Sequence, residues 1–191
     1  MTNPFSSPLA LVILFLLGAA VPAAQADKLI ESCNACHDGQ NKDVPVISGI
    51  SSFAFETAML AYVDGSREAR PFEGKDMKTV VENLTEAEFK KTIEHYSSQE
   101  FTPVKQDFDK ALAEKGKKIH DAYCARCHTE GGSLADDDSS ILAGQWKGYL
   151  IEEMQNYKDG TRTGDRKMSE AMQDLSDEHI QALAEYYASQ Q

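Results

Sequence analysis

Two short units in this chain carry residues able to do chemistry. Cys33, Cys36 and His37 lie in ESCNACHDGQ, and Cys124, Cys127 and His128 lie in DAYCARCHTEGG. Each is a C-x-x-C-H unit, and together they hold all four cysteines. Three chemistries use thiols at this spacing. A dithiol can cycle with a disulfide. Two thiolates can help to hold zinc. Two thiols can form thioethers with one haem while the adjacent histidine points at its iron. A thioredoxin-like dithiol calls for a βαβ pattern, and none is present. A tetrahedral zinc site would have to join units 91 residues apart, from Cys33 to Cys124. Haem attachment needs neither, so the pair of units points to two covalently bound haems.

A haem iron held by one histidine has a second axial position. Met77 lies 40 residues after His37, and Met168 lies 40 after His128. Both are expected in polar loops before the last helix of each half, where a thioether has little core to fill. A soft thioether opposite histidine raises the potential of the iron. Met77 and Met168 are therefore read as the distal ligands. Met59 and Met154 fall mid-helix on apolar faces and are read as core. His95, His120 and His179 have no histidine counterpart in the other half, and are read as surface or helix-end residues.

The elements that must position these residues come as a duplication. At an offset of 91, Met77 meets Met168, and Phe89, Ile93 and Tyr96 meet Ile180, Ala184 and Tyr187. At an offset of 95, Gly49, Met59, Tyr62 and Arg67 meet Gly144, Met154, Tyr157 and Arg162. Loops absorb the difference cheaply. The repeats span 27–97 and 114–191, joined by a linker over 98–113. Thr85 and Glu88 are spaced as a capping box, and Ser176 is placed to cap the last helix. Apolar stripes follow each cap at helical spacing. Two further helices are expected near Phe53–Val63 and Lys147–Lys158. The spacing of Ile119 and Tyr123 suggests one more, leading into the second C-x-x-C-H unit. No segment alternates as a strand, so the fold class is all-α. A unit this small buries too little surface to be secure alone, and a bound cofactor would complete its core.

Several matched residues admit two roles. Tyr62, Tyr157, Tyr96 and Tyr187 suit packing. Arg67 and Arg162 could pair a haem propionate or sit on a solvated turn. Trp146 is expected in local packing, and Asp136, Asp137 and Asp138 in a solvated loop.

Residues 1–26 read as a cleaved signal peptide. Leu9 to Val21 is an apolar run of 13, followed by Ala24 and Ala26 at cleavage-site spacing. That run is shorter than the roughly 20 residues a membrane span needs. An uncleaved anchor is the alternative. The net charge is −12, and both repeats are acidic. Nucleic acid is thereby disfavoured, because phosphate contacts need clustered Lys and Arg. An iron with both axial places filled has no place for substrate, so outer-sphere electron transfer is the expected function.

The segments LAGQWKGYL, YKDGTRTGD and LSDEHIQALAEYYAS, with the C-x-x-C-H units, resemble the diheme cytochromes c of the c-four kind. The segments FTPVKQDFDKALAEKGKKIHDAYCARCHTEGGSLADDD, ILAGQW and YYASQQ resemble more closely the cytochrome subunit of flavocytochrome c sulfide dehydrogenases, a likeness that covers the whole mature chain and is sharpest from Phe101 to the end. That resemblance implies two tandem cytochrome c-like domains in the periplasm. Cys33, Cys36, Cys124 and Cys127 would hold haem, with His37 and Met77, and His128 and Met168, as axial pairs. It implies an FAD-containing flavoprotein partner, with FAD absent from this chain, and a soluble cytochrome c acceptor. The loop around Met77 departs from the family's ligand loop, and copy two has no proline after His128. A free-standing diheme carrier is the alternative. A catalytic diheme peroxidase or thiosulfate-oxidising enzyme is a third reading.

Overall fold

The computed structural model describes residues 23–164 and 166–191. Most of the signal-peptide reading lies outside these residues. Helix α1, Ala23–His37, runs through the expected cleavage point after Ala26. The chain is all-α among the described residues, and its only β pairing there is two isolated bridges.

The first repeat continues with α2 (Ser52–Val63), α3 (Met77–Glu82) and α4 (Glu86–Ser97). The second holds α5 (Lys110–Tyr123), α6 (Lys147–Asp159), α7 (Arg166–Gln173) and α8 (Asp177–Ala188). Local chemistry explains the boundaries. Ser51 caps α2, and Asp109 caps α5. The Thr85–Glu88 capping box opens α4, and Ser176 with His179 opens α8 in the same manner. Both Asp-Gly turns end their helix with a left-handed glycine, Gly65 at φ +80° and Gly160 at φ +78°. The chain then folds back, with Arg67 N–H donating to Ala61 and Arg162 N–H to Asn156.

Each repeat has its own apolar core. Phe55, Met59, Val81, Ile93 and Tyr96 form the first. Leu150, Met154, Met172, Ile180, Leu183 and Tyr187 belong to the second. Burying one such side chain fully is worth about 1.5–3 kcal/mol. The cores are seated differently. In the second repeat α5 crosses α8 at Gly116, where a Cβ would collide with the Ala182 backbone. The matching residue in α1 is Gln25, which donates to Glu88 Oε1 at 3.2 Å. Among the described residues α1 buries no side chain fully.

The segment joining the repeats is packed rather than free. Val104 is buried with Val46 and Trp146, and its N–H donates to Gly144. Helix α5 starts at Lys110, within the expected linker. Trp146, expected in local packing, thus packs between the repeats. Beside it Gln145, itself buried, accepts from Val46 N–H at 3.0 Å and donates to Val46 O at 2.9 Å.

Candidate haem sites

The two C-x-x-C-H units close the first helix of their repeats. Cys33, Cys36 and His37 occupy the last turn of α1. In the second repeat α5 stops at Tyr123, and Cys124 is its C-cap. A tight turn follows, with Cys127 and His128 N–H both donating to Cys124 O. All four thiols are free. Cys33 and Cys124 lie against the two cores, while Cys127 is exposed. Burial pushes both the Cys33 and the Cys124 thiol up. That is opposite to the shift a reactive thiolate needs. Tyr96 reaches Cys33, and the matching Tyr187 reaches Cys124. Tyr96 also donates to Asn34 Oδ1 at 2.7 Å.

His37 is oriented for coordination. Its Nδ1 lies 2.8 Å from the Pro45 carbonyl. A carbonyl only accepts, so Nδ1 carries the proton and Nε2 keeps its lone pair. Burial holds His37 and His128 below the usual imidazole value, which favours the neutral ligand form. The counterpart of Pro45 is Ser140. Its carbonyl acts on His128, but short of hydrogen-bond geometry, and the buried Nδ1 has no partner.

Met77 and Met168 are not in loops. Met77 is the first residue of α3, and Met168 lies in α7. Asp76 creates α3 by accepting from Thr79 N–H at 2.8 Å. Each methionine is half-buried against the core of its repeat. Cys33 and Met77 therefore border one core, and Cys124 and Met168 the other. Met172 points fully into the second core instead. Met59 and Met154 are core residues, as their spacing predicts.

His120 departs from expectation. It lies in the last turn of α5, as its position suggests, but is buried, with Nδ1 3.0 Å from Tyr187 Oη. The close crossing of α5 and α8 encloses it. His179 caps α8, and His95 contacts Gln99. Asp137 is not merely solvated: it accepts from Thr129 N–H and Oγ1 and ties down the loop after His128.

The two matched arginines meet between the repeats. Arg67 is buried, and its ion pair with Glu153 spans 2.8 Å. Arg162 pairs with the other oxygen of the same carboxylate. The guanidinium carbons lie 4.5 Å over the Tyr62 and Tyr157 rings. Arg67 also donates to Tyr149 Oη at 3.1 Å, yet its Nε has no partner. Two guanidiniums thus share one carboxylate. The reading as solvated turns does not hold for Arg67. Glu153, Tyr149 and Gln145 escape a search for repeated residues, because they match Ala58, Ala54 and Ile50. Their departure from the repeat is the only sequence signal.

These features fit haem. Each repeat offers paired thiols, an oriented or unpartnered imidazole, and a thioether beside the same core. Among the described residues no three His, Cys, Asp or Glu side chains converge on one ion.

Known proteins are similar to this chain. The family described as cytochrome C oxidase, cbb3-type, subunit III matches residues 111–186. Cytochrome c-554(548) of Halomonas halodenitrificans is 41% identical over 71 residues, covering 36% of this chain and 84% of that protein. Cytochrome c4 of Pseudomonas aeruginosa is 38% identical over 69 residues, 36% of this chain. The match spans only 34% of that relative's length. A thiosulfate dehydrogenase electron acceptor of Thiomonas intermedia is 25% identical over 98% of this chain and 92% of its own. The structure of reduced cytochrome c4 from Pseudomonas stutzeri superposes with a TM-score of 0.72. It covers 90% of this chain and all of that one at 24% identity, a likeness of fold. With two C-x-x-C-H units on this tandem helical fold, the chain belongs to the cytochrome c family.

Proposed function

We propose that this protein is a free-standing electron carrier with two c-type haems, exported to the periplasm. One observation carries the reading: each repeat borders a single buried core with one unit cysteine and one methionine. Bound c-type haem supplies a one-electron iron couple. The protein does the rest. Cys33 and Cys36, and Cys124 and Cys127, would hold the two haems through thioether bonds. His37 is presented through Nε2 because Pro45 holds its other nitrogen. Met77 and Met168, packed against the two cores, would supply the thioether ligands to the irons and so leave no place for substrate. The apolar cores exclude water, and Arg67 and Arg162 supply positive charge between the repeats. Such a site moves electrons without making bonds.

The native protein tests this reading. The expected result is two haems per chain, a sulfur-to-iron charge-transfer band from both, and no flavin. A high-spin resting haem would sink the carrier reading in favour of a catalytic one.

A second reading places the same haems as electron acceptor for an enzyme of sulfur-compound oxidation. The likeness to the Thiomonas acceptor over nearly the whole chain supports it. The flavocytochrome resemblance read in the sequence would make an FAD-bearing sulfide dehydrogenase chain the partner, with a soluble cytochrome c downstream. Co-purification of a flavin-bearing chain decides between the two.

A further inference from the structure

We propose that the outer face of α2 docks a basic redox protein, an inference that rests on the carrier reading. Phe53 is 62% exposed, Leu60 45% and Val63 36%. Helical spacing puts them on one stripe, with Glu56 between Phe53 and Leu60. The fold does not require this stripe. Helix α6 is the same element of the second repeat, and there the matching residues are Gly148, Gln155 and Lys158. Lys158 is engaged by its own repeat, at 2.6 Å from Asp177. One of two equivalent helices thus keeps an apolar outer face while the other is polar. Exposed apolar side chains grouped in this way mark interaction surfaces.

The charges around the stripe select the occupant. Helix α2 has no Lys or Arg. Glu56 and Asp64 are exposed beside the apolar residues. Lys90, which feels Glu56, is paired with Glu86 at 2.5 Å. The chain as a whole carries −12. An apolar spot ringed by lysines complements this surface, with long-range attraction guiding encounter and the stripe fixing the contact.

The test uses the haem-loaded full chain and, as probe, a lysine-rich mitochondrial cytochrome c. Leu60→Gln with Val63→Lys installs the second repeat's residues on solvent-facing positions. Binding is followed by calorimetry and electron exchange by stopped flow, both at low salt. The expected result is about tenfold weaker binding and slower exchange, with unchanged haem spectra. The mirror variant, Gln155→Leu with Lys158→Val, leaves both unchanged. Unaltered binding in the first variant, or no binding by the wild type, overturns the docking face. So does loss of self-association in that variant, which would make a second copy the occupant. Wild-type binding without electron exchange instead overturns the carrier reading and leaves the docking face standing.

Discussion

Arg67 and Arg162 hold the same place in the two repeats and pair with each other through their backbones. Thr163 N–H donates to Ser66 O at 2.6 Å, and Glu68 N–H to Thr161 O at 3.3 Å, on either side of that bridge. Two like charges are thereby held together, and Glu153 is the carboxylate set between them. Its counterpart, Ala58, offers nothing, so the junction is symmetric in its cations and asymmetric in its anion.

Glu153→Ala should therefore loosen the junction of the repeats. Removing one member of a buried ion pair costs about 3–5 kcal/mol, because the partner charge is left uncompensated. Denaturant unfolding should change from one transition to two. Burial raises the Glu153 carboxyl, but Arg67 and Arg162 outweigh it and hold it below the usual range. A depressed folded value means stability present above the unfolded value of about 4.3 and lost as pH falls through the folded one. The wild type should lose junction stability in acid below that point, and Glu153→Gln should flatten the dependence. A single transition unchanged in Glu153→Ala would refute the role.

Gln145→Ala is expected to weaken the same junction from its other side. The side-chain amide serves Val46 as a neighbouring strand would, taking its N–H and supplying a donor to its carbonyl. Leaving a buried polar group unpaired costs about 1–3 kcal/mol. Thermal unfolding should fall accordingly, while Gln99→Ala, at an exposed site, leaves it unchanged.

What the sequence made legible and what it concealed divide along physical lines. Helices α2, α4 and α8 carry their own N-caps, and α6 ends at its own left-handed glycine, so residues near in sequence specify them. Helix α3 spans 6 residues and α7 spans 8, too few for an apolar period to register. From sequence alone Met77 and Met168 consequently read as loop residues. The C-x-x-C-H units and the paired methionines were visible because the duplication repeats them. Glu153, Gln145 and Trp146 act between the repeats, and contacts across a pseudo-symmetric junction need not be repeated. The burial of His120 is not legible in the sequence because it depends on Gly116, whose role appears only when α8 lies against it.

His120 should make the second repeat acid-sensitive near neutral pH. Burial holds its imidazole below the usual value, with Asp121 opposing and Lys117 assisting that shift. The fold thus favours neutral His120. Stability is full above the unfolded value of about 6.5 and declines as pH falls below it, because the unfolded chain takes up the proton. His120→Leu installs the residue found at Leu29 and should remove this slope between pH 7 and 5. Unfolding curves at those pH values read it directly, and an unchanged slope would place the titration elsewhere.

Replacing the two candidate ligand methionines one at a time tests their assignment to the two irons. Met168→Ala should open the coordination of the second haem and remove about half of the sulfur-to-iron charge-transfer band, while Met77→Ala removes the other half. The potential of the altered haem should fall in each case, since a thioether opposite histidine favours the reduced metal. Met172→Ala is the control. That side chain is buried in the second core, so its loss should cost about 2–5 kcal/mol of stability and leave the band intact. Were Met172→Ala to abolish the band and Met168→Ala to preserve it, the ligand of the second haem would be Met172. Half-buried Met168 is the better candidate, because a ligand must face the haem from the border of the core, while Met172 is already committed to filling its interior.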